Sequence, residues 1–340
     1  MIDFRYHVVS LISVFLALAV GIVLGAGPLR ESLGDQLAGQ VEQLRTEQED
    51  LRQRNDALVE SNDQLASFLT EAGPEMVAGS LRDQRIVILT DHTSTRTALD
   101  RTGALLDAAG ARTTARVTLQ PGLWDPQQEQ RRVTAVRAIS RIAPVVLEHG
   151  TSNAEKLAGA VVTLLERDTD EDLTESLRSQ VWEVLIEEQL VTVDGDLTPL
   201  PDGMIFAAAN PEDLQVSGEE DTAATERAQQ MLLVHSAMLA ELSRSGIPAV
   251  VAGVTPGNDS AVSILRTVRG DSRFSGLSTT DRLQAVDGPL LAVLALVEQT
   301  HGGAGDYGTA TDADARVPSL PQGRAPLGKT TQPSDGGGEG

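Results

Sequence analysis

Between Val8 and Ala26 the chain carries 19 consecutive residues without a charge, interrupted only by Ser10, Ser13, Gly21 and Gly25. As an α-helix this run rises roughly 28 Å, which matches the ~30 Å hydrocarbon core of a bilayer. Phe4, Arg5, Tyr6 and His7 stand just before it and supply the aromatics and the cation that suit a headgroup interface. The expected structure is a transmembrane anchor over residues 1–28, with the lipid bilayer as its partner. A cleaved signal peptide is the competing reading, because small residues at Ala17, Ala19, Gly21 and Gly25 can mimic a cleavage site. The run exceeds the ~7–15 apolar residues of a signal peptide, which favours the anchor. Arg5 and the α-amino group precede the span and Arg30 follows it, a small bias toward an N-terminus inside and the bulk of the chain outside.

Gly27-Pro28 is expected to break this helix. A second helical pattern then covers residues 29–73. Leu37, Leu44, Leu51, Leu58 and Leu65 recur every seven residues, while Val41, Gln48, Asn55, Asn62 and Leu69 fill the alternating positions. This places Leu at every d position and a mixed, partly polar set at a, as in parallel two-stranded coiled coils whose register is fixed by Asn. In that register Glu47 at g meets Arg52 at e of a partner, and Gln40 approaches Arg45. The expected assembly is a homodimer. The alternative is one amphipathic helix packed back on its own domain. Within the span, Ala17, Gly21 and Gly25 form a small-xxx-small row that also suits helix pairing.

Beyond Gly73-Pro74 the pattern alternates. Residues 85–90 and 112–119 read as strands around a helix at 95–109, and Asp125-Pro126 opens another helix. Ser152 with Glu155 forms a capping box before Leu157, Val161, Leu164 and Leu165. Helices are expected at 173–190, 222–245, 260–269 and from Asp287-Gly-Pro289 to near 302, with strands at 204–208 and 249–254. The expected fold class is α/β: an N-terminal transmembrane helix, a coiled coil, and an open, mostly parallel, Rossmann-like α/β head over 80–302. Residues 303–340 are rich in Gly, Pro, Ser and Thr without apolar periodicity and read as a disordered tail.

Composition narrows the function classes. With 49 acidic against 27 basic residues the net charge is −22. A nucleic-acid backbone needs clustered Lys and Arg, so no nucleic-acid partner is expected. There is no Cys, which removes disulfides, thiolate metal sites and Cys nucleophiles. The loop after the first strand, Thr90-Asp91-His92-Thr93-Ser94, lacks GxGxxG and Walker patterns. Asp91 and His92 could form an acid/base pair there, but turn formation and capping explain them better. In Thr255-Pro256-Gly257-Asn258-Asp259-Ser260, Asn258 or Asp259 reads as a helix cap, and Gly203 and Asn210 flank a strand. No GxSxG elbow, HExxH pair or EF-hand loop occurs. No catalytic, cofactor-binding or metal residue is therefore assigned, and the chain is not expected to be an enzyme.

Metal chemistry turns on five His and five Met. No two His fall at a spacing that puts both on one helical face. Met231, His235 and Met238 do share a face and bear donors that Cu(I) favours. They lie in a stripe with Leu232, Val234 and Leu239, so core packing is the better account.

The opening Met1-Ile-Asp-Phe-Arg-Tyr-His7, the span from Val8 to Ala26, the Gly27-Pro28-Leu29 exit, the heptads, and the closing helix around Leu290–Glu298 before Tyr307-Gly308 resemble the actinobacterial copper transport protein MctB family, with its SteB-like relatives. The resemblance covers residues 1 to about 315. It implies a single-pass cell-membrane or envelope protein in copper efflux and homeostasis, with a pore-forming role proposed for mycobacterial members. SteB-like relatives imply instead cell separation and wall remodelling through an envelope protein partner. The resemblance carries over no ligand residues, so copper is implied by it alone. Three classes compete: copper transporter, dimeric envelope scaffold or partner-binding adaptor, and enzyme. A transporter needs a polar pathway that one apolar span supplies only when several copies assemble. An adaptor needs only an anchor, a spacer and a folded head.

Overall fold

The computed structural model describes residues 4–167, 173–209, 221–255 and 263–319, with the side chains of 24–38, 221 and 224 left aside. It divides into two compact units, residues 1–67 and residues 68–340. The first is helix alone. Helix α1 runs Phe4–Val77 without interruption, so the break expected at Gly27-Pro28 is corrected to a continuous helix. It also passes Gly73-Pro74, the expected end of the heptad segment. Both prolines follow a glycine, which removes the Cβ part of the clash between a proline ring and the residue before it.

The second unit begins with the last turns of α1 and adds β1 (Arg85–Thr90), α2 (Arg96–Ala108), β2 (Arg112–Leu119), α3 (Glu129–Ile142), α4 (Asn153–Thr163), α5 (Glu175–Glu187), β3 (Val191–Gly195) and β4 (Gly203–Ala207). It continues with α6 (Asp221–Ser245), β5 (Ala249–Ala252), α7 (Ile264–Arg269), β6 (Ser278–Thr280), α8 (Gly288–Thr300) and β7 (Asp306–Tyr307). The strands form one sheet in the order β3-β2-β1-β4-β5-β6-β7. Every neighbouring pair is parallel except β2 with β3. The chain winds outward from β1 to one edge and then from β4 to the other, so the order reverses between these two central strands, as in Rossmann-like sheets.

Central strands with both faces covered are apolar throughout, and the two-residue period of a strand divides their side chains between two cores. Val87, Leu89, Met204, Phe206 and Val251 enter the cluster covered by α3, α4, α5 and α6. Ile86, Ile88, Ile205, Ala207 and Val250 enter the opposite cluster with α2 and α8, which Val77 at the end of α1 also joins. Gly73 is buried, and a Cβ there would stand 3.3 Å from Leu105 Cδ2, so the α1 backbone approaches α2 closely.

The capping box forms as its sequence predicts: Ser152 Oγ accepts from the Glu155 amide at 3.2 Å and Glu155 reaches back to Thr151 and Ser152. Three strands are additional findings: antiparallel β3, the short β6, and β7. The last lies at Asp306–Tyr307, inside the stretch expected to be disorderly from 303 onward, which is corrected for 303–319. The cap expected at Asn258 or Asp259 and the role of Asn210 fall outside the described residues. Helix α7 is capped by Ser263, whose side chain accepts from the Arg266 amide.

Candidate functional site

In a doubly wound sheet the crevice beyond the carboxyl ends of the two strands where the order reverses is the usual place for chemistry. Here those ends are Thr90 of β1 and Ala207 of β4. The turn after β1 is tied by Thr90 and Thr95, whose hydroxyls lie 2.8 Å apart, while Thr95 Oγ1 also donates to the His92 carbonyl. His92 caps the following short turn, its Nδ1 accepting from the Ser94 amide at 3.2 Å. Asp91 points elsewhere. Its Oδ1 accepts from the Ala209 amide at 2.8 Å, just past β4, and its Oδ2 lies 3.8 Å from His235 Nδ1 on α6. The capping role expected of this loop falls to His92, whereas Asp91 turns to the Ala209 amide and His235 and forms no pair with His92.

His235 is 1% exposed, with Trp124 and Phe206 set edge-on against its ring at centroid distances of 5.5 and 5.3 Å. Burial in this apolar cage holds its pKa at about 3 despite the neighbouring carboxylate, so the imidazole is neutral at physiological pH. Its Nε2 has no hydrogen-bond partner among the described residues. Met231 and Met238 are buried beside it in the same core. The Met-His-Met face therefore packs the interior. Among the described residues no group of three or more His, Asp or Glu side chains is placed to hold a metal ion.

A second polar cluster, which the sequence reading missed, closes the far side of the sheet. Arg269, at the end of α7, has a side chain 2% exposed and donates to Thr279 Oγ1, Asp312 and the Tyr307 carbonyl at 2.7, 2.8 and 2.9 Å. Asp281, fully buried, lies 3.4 Å from the same guanidinium and accepts from the Thr309 and Ala310 amides. Tyr307 donates to Glu298, and both burial and that carboxylate push its pKa up. These groups satisfy one another, and they fix residues 306–315 across the strand ends. Nearby apolar periodicity gives no sign of them, since the residues concerned are Thr, Asp and Arg in short elements.

The residues expected to form the anchor and the seam lie on α1. Phe4–Val23 is long and apolar enough to cross a bilayer, and none of it is buried within the chain. Ala17 and Gly21 are exposed along it; the side chain environment of Gly25 and of Leu37 falls outside the described residues. Val41, Leu44, Gln48, Leu51, Asn55, Leu58, Asn62 and Leu65 are all exposed. Leu69 differs: it is half-buried against the α2/α8 core.

The sequence model of the family described as "Copper transport outer membrane protein, MctB" matches residues 1–318. Proteins named "Copper transporter MctB" from Mycobacterium bovis and from two strains of Mycobacterium tuberculosis are each 26% identical over 316 residues, covering 91% of this chain and 96% of the relative. The match takes in the anchor, the heptads, both polar clusters of the head and the β7 strap, and by it the chain belongs to the MctB family.

Proposed function

We propose that this protein is a membrane-anchored, single-pass component of copper transport and homeostasis in the cell envelope, with its head outside the cytoplasm. The observation that carries this reading is the match to the copper-transport family from residue 1 to residue 318, which includes the bilayer-length span. In this reading the head works by positioning and partner contact. Met231, His235 and Met238 are core side chains, and their burial argues against their receiving an incoming copper ion.

The test is copper tolerance in a strain lacking the gene, complemented with variants whose abundance and folding are checked. The full chain and the triple variant Met231→Leu, His235→Gln, Met238→Leu restore tolerance. Leu16→Asp, which puts a charge into the span, does not. Stoichiometric nanomolar Cu(I) binding by the purified chain, abolished by the triple change, would overturn the reading. A second reading, an envelope adaptor in wall remodelling and cell separation, is favoured by the exposed leucines of α1. Normal copper tolerance together with unseparated cells would select it.

A further inference from the structure

We propose that the face of α1 from Val41 to Leu65 is covered by the same face of a second copy, parallel and in register, and that the seam stops at Leu65 because the head takes Leu69 for itself. Leu44, Leu51, Leu58 and Leu65 are 58–66% exposed on one stripe of a continuous helix, a row of large apolar side chains left in solvent by this chain alone. Their seven-residue spacing is that of helices pairing with helices, and the a positions between them are Gln48, Asn55 and Asn62. A buried Asn layer satisfies itself against an identical Asn at the same level, which only an in-register copy provides.

Charge is compatible with a parallel direction. In a parallel pair, Glu47 at g faces Arg52 at e of the second copy and Gln40 faces Arg45. An antiparallel pair sets e against e and g against g, opposing Arg45 with Arg52 while Glu47 meets Arg54, so the in-register Asn layers carry the choice. The direction also rests on the membrane-anchored reading, since two copies inserted through Phe4–Val23 in one bilayer start their helices from the same side. At the other end the head ends the seam. Leu69 packs against the α2/α8 core, and Gly73, one turn on, is buried against Leu105.

The sequence contains no Cys, so each introduced thiol is unique. Single Cys replacements at 48 through 65 in the full chain, oxidised in native membranes, give disulfide-linked species of twice the chain mass. Asn55→Cys, Leu58→Cys and Asn62→Cys cross-link at least tenfold more than Gln53→Cys or Glu60→Cys, which lie on the outer face. Adding Leu51→Asp lowers the Leu58→Cys yield at least tenfold. A flat profile, no dimer, or an adduct of another mass overturns the pairing. Membrane fractionation of the same samples separates the two ideas: chain in the membrane with a flat profile refutes the pairing alone, whereas soluble chain starting near residue 26 refutes the anchor.

Discussion

Residues 4–67 and residues 68–319 handle apolar surface in opposite ways. In the helical unit the large apolar side chains among the described residues are exposed, from Phe4 through Leu65. In the head, the apolar side chains of the central strands are sealed between two helical layers. A helix with an apolar stripe is stable only when something outside it covers the stripe, so the first unit depends on surroundings and the second on its own interior. The same residue type therefore carries different information in the two places. A Leu in the head reports packing, whereas Leu44, Leu51, Leu58 and Leu65 of α1 find no cover within the chain.

This contrast can be broken by substitution. The largest effect is expected for Arg269→Ala, which leaves Asp281 buried and uncompensated and should cost the head about 3–5 kcal/mol in chemical denaturation. Phe206→Ala, deleting a 0% exposed ring from the core covered by α3–α6, is expected to cost about 3–5 kcal/mol, toward the lower part of that range if His235 and Trp124 relax into the space. Ser152→Ala removes the α4 cap at a cost of about 1 kcal/mol. Leu51→Ala, by contrast, should change unfolding of the head by less than about 0.5 kcal/mol, although it weakens any pairing of α1. A head destabilised as much by Leu51→Ala as by Phe206→Ala would erase the distinction between the units.

Acid sharpens it further through two groups of the head, His235 and Asp202. His235 has its folded pKa lowered from 6.5 to about 3, so below pH 6.5 the unfolded chain binds a proton that the folded head refuses. Stability from this site is full above pH 6.5 and is lost as pH falls toward 3. Asp202, hydrogen-bonded by Arg85 and Arg167, has its pKa lowered from 3.8 to about 2. Its contribution is present above pH 3.8 and is lost only as pH falls toward 2. His235→Leu should flatten the stability profile between pH 6.5 and 3, and Asp202→Asn only below 3.8, both read by urea titration at each pH.

Much of the head was legible because its central strands are apolar runs and its helices carry their own start signals, such as Ser152 with Glu155. What sequence reading missed has a common cause. Strand β6 is Ser278-Thr279-Thr280, fully buried yet polar, held by Gln299, Arg269 and neighbouring backbone rather than by apolar contact. Hydrophobic periodicity has nothing to register there. Asp91 and His235 meet only because β1, β4 and α6 converge at the reversal of strand order, so their pairing could not be read from local spacing. Asp91 and His92, adjacent in sequence, part company for the same reason. At Gly27-Pro28 a proline signal and a continuous helix coexist, helped by a preceding residue without a Cβ.

The β7 strap sets an order of assembly. Arg269 and Asp281 complete their bonds with residues 306–315, which leave the ribosome after every other strand of the sheet. Until then the head carries two inward-facing charges with part of their ligation missing. A nascent or truncated chain ending at residue 302 would consequently hold α1 and the central strands but remain open at one edge, a substrate for proteolysis. Only a chain that includes residues 306–315 supplies Arg269 and Asp281 with all of their partners.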